Sequence, residues 1–173
     1  MELFILRHGE AGKRLSSGSS DFARPLTITG KEEVTDIAKS LKDFGVKFNF
    51  IITSPLKRAH QTASLVAMTF NTKNKIEDWD ELKPEGNRRK LYHKLSQQFK
   101  HDLSILIVGH EPYLSTLISE VISEGSHKGI AKGRIVLKKA GLAKIRITSS
   151  SHEMIQGELR WLLTPTHMKK LSN

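Results

Sequence analysis

A histidine beside an arginine, directly behind an apolar run, is a side chain placed to meet an anion. Leu3-Phe4-Ile5-Leu6 leads into Arg7-His8-Gly9-Glu10, and an imidazole at the end of a rigid strand can be presented to solvent as a nucleophile. Two later segments carry matching chemistry. Arg58 falls in the first turn of a helix expected to open at Ser54-Pro55, and His110 follows the apolar run 103–108. Guanidinium forks match phosphate oxygens in bidentate geometry. Helix N-termini add oriented N–H groups and a positive dipole end. Arginines near a histidine disfavour its protonated form and so keep a ring nitrogen available for attack. Two arginines and two histidines around one crevice thus suit phosphoryl transfer, with a phosphohistidine as the covalent product.

Bringing these residues together requires strands that end side by side. The chain reads as strand 2–7, a loop over 11–29, and a helix with a capping box of Thr29 and Glu32. Val34, Ile37, Ala38 and Leu41 form its inward face, and Gly45 stops it. Strand 48–53 comes next. A helix follows, capped by Ser54 with Pro55 at its first position, burying Ala59, Thr62, Ala63, Val66 and Phe70. A short strand is expected at 75–79 and a basic helix over 87–100, with Leu91, Leu95 and Phe99 inward. Run 103–108 is apolar on both faces, as a central parallel strand should be. Pro112 opens the next helix. The tail changes character: 134–138 and 142–148 predict a hairpin turning near Ala140-Gly141, and 157–163 adds one more strand.

Strands alternating with helices, then antiparallel strands, predict an α/β fold. The expected form is a three-layer α/β/α sandwich with a mostly parallel central sheet and an antiparallel edge. Ligands bind beyond the carboxyl ends of the strands in such sheets, where Arg7-His8, Ser54 and Gly109-His110 all fall. No repeat, linker or boundary interrupts residues 1–173, so one domain is expected, long enough to bury a core.

Composition narrows the chemistry. The absence of cysteine removes disulfides, thiolate metal sites and Cys-dependent phosphatase chemistry. No apolar run approaches the roughly 18 residues of a membrane helix, and Glu2 stands where a signal peptide would carry basic residues. No membrane contact is expected, and a cytoplasmic location is. The net charge of +10 is concentrated. Residues 125–152 hold no acid but carry Lys128, Lys132, Arg134, Lys138, Lys139, Lys144 and Arg146. Arg88, Arg89, Lys90, Lys94 and Lys100 form a second basic stretch. Such fields attract nucleic acid, phosphorylated ligands or acidic protein surfaces; a solvated basic surface is the plainer reading. No zinc-finger or aromatic-rich RNA signature is visible, which ranks nucleic acid last among the partners.

Three blocks carry a family resemblance. Arg7-His8-Gly9-Glu10 resembles the RHG signature of the histidine phosphatase superfamily, which includes the phosphoglycerate mutases. The run from Ser54 to Ala63, SPLKRAHQTA, resembles its second block, and Val108-Gly109-His110-Glu111-Pro112 its third. Within the superfamily, Arg24-Pro25-Leu26-Thr27 followed by Gly30 resembles the small SixA-type phosphohistidine phosphatases. The resemblance implies that His8 is the nucleophile, that Arg7, Arg58 and His110 bind the phosphoryl group with Gly9 close by, and that no metal or other cofactor is needed. Family members commonly carry a carboxylate as proton donor after the third strand. Glu81 is the nearest match, with Asp80 and Glu85 as rivals. Glu10 is expected to support its loop. The expected substrate is phosphohistidine in a protein partner, because the intervals between blocks are too short for a large lid. The alternatives are a small phosphate ester with phosphomonoesterase or mutase-like chemistry, and a basic module that binds phospho-ligands or nucleic acid without catalysis.

Overall fold

The computed structural model describes residues 1–13, 21–71, 76–99, 102–123 and 135–171. Six strands form one sheet in the order β3-β2-β4-β1-β5-β6. The strands are β1 (Glu2–Arg7), β2 (Phe50–Thr53), β3 (Ile76–Asp78), β4 (Ser104–Gly109), β5 (Leu142–Ser150) and β6 (Ile155–Leu163). The first four are mutually parallel; β5 runs antiparallel to β1, and β6 to β5. The helices are α1 (Ile28–Asp43), α2 (Lys57–Phe70), α3 (Arg88–Gln98), α4 (Tyr113–Ile122) and α5 (Pro165–Leu171).

Period-two alternation in the buried strands divides the core between the two faces. Leu3, Ile5, Ile52, Ile105 and Ile107 pack with Leu91 and Leu95 of α3 and with Leu114, Leu117 and Val121 of α4. Phe4, Leu6, Ile51, Leu106 and Val108 face the other way, onto Val34, Ile37 and Leu41 of α1, Ala59 and Ala63 of α2, and Met168 of α5. The expected three-layer α/β/α sandwich, parallel at its centre and antiparallel at one edge, is the observed fold. Among the described residues no helix is long and apolar enough to cross a membrane.

Register explains how the three blocks converge. Arg7 lies opposite Gly109, and Thr53 opposite Val108, so β1, β2 and β4 end together. The ladder continues one residue further on both sides: His8 N–H donates to the Gly109 carbonyl at 3.1 Å, and Ser54 N–H to the Val108 carbonyl at 2.9 Å. His8, Ser54 and His110 are therefore anchored on adjacent, fully paired strand ends.

Three local expectations are corrected. Helix α1 starts earlier than the capping box suggested: Thr27 is its N-cap and accepts from Gly30 N–H at 3.0 Å. Its end is as expected. Gly45, at φ +73°, donates to the Lys42 carbonyl while Val46 N–H reaches Leu41, which closes a Schellman turn. Helix α2 begins at Lys57 with Leu56 as N-cap, so neither Ser54 nor Pro55 holds the expected terminal position. Residues 135–138 form no strand, and Arg134 lies outside the described residues. The hairpin instead joins β5 to β6 through 151–154, where Ser151 and Met154 exchange backbone and side-chain hydrogen bonds.

Candidate active site

The strand ends open into a crevice of about 320 Å³ lined by Arg7, His8, Ala11, Asp21, Arg24, Arg58, Pro84, His110, Glu111 and Lys139. His8 is buried at its base, with 8% of its surface exposed. Its Nδ1 lies 2.7 Å from the Gly9 carbonyl. A carbonyl only accepts, so Nδ1 carries the proton and Nε2 keeps its lone pair. That lone pair accepts from Arg58 Nε at 3.2 Å. Burial, followed by the charges of Arg58, Arg7 and Arg24, pushes the imidazole down to about 4 against an opposing bond to Gly9. His8 is therefore neutral at physiological pH in the tautomer that a nucleophile requires.

His110 stands beside it, the two ring centroids 5.0 Å apart. Burial, then His8 and Arg58, lowers this second imidazole to about 3. Its Nε2 lies 2.8 Å from Ser54 Oγ, which also accepts from Leu56 N–H at 3.3 Å. The hydroxyl can donate to a bare Nε2 or accept from a protonated one, and an anion in the crevice would favour the first, with the N–H at Nδ1. That Nδ1 and Arg7 Nε are both buried without a hydrogen-bond partner among the described residues. Unmet buried polar groups cost about 1–3 kcal/mol each. Two of them beside His8 suit a site that receives an anion. Arg7 is held through Nη1, which donates to the Leu137 carbonyl at 2.9 Å.

Arg7, His8, Arg58 and His110, singled out in the sequence, thus share one crevice. Glu81 does not join them. It is absent from the crevice lining, and its Oε2 accepts from Lys94 Nζ at 2.8 Å. Gly9 is absent from the crevice lining too, although its carbonyl holds His8. Its N–H donates to Thr62 Oγ1 at 3.1 Å, and a Cβ there would meet the Gly30 carbonyl oxygen at 2.8 Å. The glycine thus serves close packing against α1. Glu10 supports its loop, accepting from Lys139 Nζ at 2.9 Å, and the lysine draws its carboxyl below the ordinary value.

Sequence reasoning gave no site role to four lining residues: Asp21, and Arg24, Glu111 and Lys139 beyond their places in a motif or a basic stretch. Asp21 binds both Arg58 and Arg24. Glu111 lines the wall and caps α4, its Oε1 accepting from Ser115 N–H at 3.2 Å. Its position directly after His110 in the third block was the available signal.

The model of the histidine phosphatase superfamily (branch 1) matches residues 3–102, which is more than half the chain. The chain belongs to the histidine phosphatase superfamily. An uncharacterized protein of Picosynechococcus is 30% identical over 166 residues, covering 94% of this chain and 99% of its own. The structure of the protein histidine phosphatase SixA complexed with tungstate superposes with a TM-score of 0.80 at 26% identity, covering 96% of this chain and 98% of that one. The broad-specificity phosphatase of Saccharomyces cerevisiae is 35% identical over 69 residues, only 38% of this chain and 29% of the yeast protein. Membership in the superfamily and likeness to SixA support a phosphatase. The superfamily match ends before His110, so the third block rests on the crevice geometry above.

Proposed function

We propose that this histidine phosphatase removes phosphate from phosphohistidine in partner proteins, through a covalent phosphohistidine on His8 and without a metal ion. The observation that carries the reading is the His8 hydrogen-bond pattern. Nδ1–H is committed to a backbone carbonyl, which leaves Nε2 as the only ring nitrogen with a lone pair. In the first step Nε2 forms a bond to phosphorus as the P–N bond to the substrate imidazole breaks. The electron pair leaves with that imidazole, which departs as the neutral ring because its other nitrogen already carries a proton taken from solvent. In the second step water attacks phosphorus, the P–Nε2 bond breaks, His8 recovers its lone pair and orthophosphate departs.

Arg58, Arg7 and the Nδ1–H of His110 are the donors that would meet the phosphoryl oxygens, and charge-assisted bonds of this kind stabilise the transferring group. The positive wall also supplies the stabilisation that a divalent cation would otherwise give. The choice of a protein substrate rests on the likeness to SixA and on leaving-group chemistry, since an imidazole departs with less acid help than an alkoxide. The test is single turnover with labelled phosphohistidine protein in the presence of a chelator. A label transferred to wild-type protein, acid-labile and mapped to His8, is the expected result, with loss of turnover by at least about 10³-fold in His8→Gln. Full activity in that variant sinks the mechanism, and activity restored only by added metal sinks its metal-free form. A small phosphate ester is the second reading, favoured by Glu111 as a carboxylate already in the crevice wall.

A further inference from the structure

The hydrogen bonds of Arg58 are not those of an arginine waiting with an open fork. Only Nε faces His8. Nη1 donates to the Asp21 backbone carbonyl at 2.8 Å, and Nη2 meets Asp21 Oδ2 at 2.9 Å. The second carboxylate oxygen, Oδ1, serves Arg24, taking Nε at 3.0 Å and Nη2 at 2.9 Å. Arg24 Nη1 is tied to the Gly12 carbonyl at 3.0 Å. One carboxylate thus bridges two guanidinium groups, an oxygen to each, in the wall of the crevice that contains His8 and His110.

A phosphoryl group asks for the same donors. Carboxylate and phosphate oxygens accept from guanidinium N–H groups in the same planar geometry. The two anions also repel each other if both stay within a few ångströms. A plain structural ion pair would account for Arg24, whose side chain is 25% exposed. Arg58 differs, because its side chain is only 4% exposed and its Nε lies against His8. A cation buried that deeply needs a counter-ion at all times. Asp21 supplies one when no phosphate is bound, and a bound phosphoryl group supplies another.

Resting on the phosphoryl-transfer reading of the crevice, we propose that Asp21 is an internal stand-in for the phosphoryl group. It neutralises Arg58 and Arg24 between turnovers and yields Arg58 to the incoming phosphoryl oxygens. It reclaims that arginine as orthophosphate leaves, so it weakens product binding.

The test titrates orthophosphate into wild type, Asp21→Asn and Arg58→Ala at fixed ionic strength, with affinity read by calorimetry and folding checked by thermal melt. Asp21→Asn should bind orthophosphate about fivefold or more tightly than wild type, the lower end of coupling between competing ligands. Its steady-state turnover should fall as product is retained, and Arg58→Ala should lose binding. Equal or weaker binding by a folded Asp21→Asn overturns the stand-in role while leaving the phosphate site intact. If wild type itself binds no orthophosphate, the reading of the crevice fails and the proposal falls with it. Should Asp21→Asn not fold, side-chain ¹⁵N spectra of wild type decide. The Arg58 Nε–H signal, which faces His8, and the Arg24 Nε–H signal, which bonds Asp21, should shift together as orthophosphate saturates the crevice and displaces the carboxylate. A shift at Arg58 with none at Arg24 overturns the proposal.

Discussion

A departing alkoxide needs a carboxyl group within hydrogen-bond reach, and two glutamates near this crevice differ in just that respect. Glu81 stands where family resemblance places a proton donor, yet it is paired with Lys94 and lies outside the lining. Glu111 lies in the lining. Glu81→Gln should therefore leave turnover of both phosphohistidine and an alkyl phosphate within about threefold of wild type, since an ion pair with a half-exposed lysine carries little energy. Glu111→Gln should slow an alkyl phosphate by about 10²-fold, the usual size of general-acid assistance, and phosphohistidine much less. Parallel kcat/KM measurements on the two substrates check this, and a Glu81 variant that loses ester hydrolysis selectively would restore it as the acid. Legibility at this scale follows from placement. Arg7, His8 and His110 sit at the ends of apolar strands, and Arg58 in a first helical turn, where periodicity points to them. Asp21 follows no period. Its importance comes only from two arginines that the fold brings to it.

Elements were legible where hydrophobic spacing set them and misread where tertiary hydrogen bonds did. Thr29 and Glu32 satisfy the capping-box pattern, but Thr29 is exposed and the cap belongs to Thr27. Thr27 is fixed from outside the helix: its N–H donates to the Glu10 carbonyl at 2.9 Å, beside a bridge between Ala11 and Leu26. Chemical denaturation should show Thr27→Ala losing about 1 kcal/mol, the usual worth of an N-cap, with Thr29→Ala near zero. The reverse order would return the cap to Thr29. Segment 135–141 was misread for the same reason. Leu137 is buried and its carbonyl holds Arg7, while Ala140 N–H donates to the His8 carbonyl and Gly141 accepts from Arg7 N–H. These bonds to the site replace the strand pairing that the sequence pattern suggested. Residues 124–134 lie outside the described residues, so Lys128, Lys132 and Arg134 enter no structural argument.

Over the whole molecule, charge was legible as a total but not as a distribution. Several cations of the two basic stretches are spent on ion pairs: Lys139 with Glu10, Lys144 with Glu2, Arg88 with Glu120 and Lys94 with Glu81. That pairing weakens the case for a nucleic-acid surface and shifts interest to the charge held inside. Two histidines are buried neutral among arginines, with His8 lowered to about 4 and His110 to about 3 from an ordinary 6.5. The sign of the consequence is fixed by linkage. Between pH 6.5 and about 4 the unfolded chain binds protons at these positions and the folded chain does not, so stability falls as pH falls through that window. The His8 shift alone corresponds to a loss of roughly 3 kcal/mol once both states are protonated, from about 1.4 kcal/mol per unit. Above pH 7 both imidazoles are neutral in either state and this contribution is flat. Thermal melts from pH 7.5 to 5, a range that stays above the titration of ordinary carboxylates, should show a falling midpoint. A His8→Gln, His110→Gln double variant should show a shallower fall, because its unfolded chain lacks those two proton acceptors. A wild-type midpoint that does not move between pH 6.5 and 5, or an unchanged slope in the double variant, would mean that the two imidazoles take up protons inside the fold. The tautomer assigned to the nucleophile would then be wrong as well.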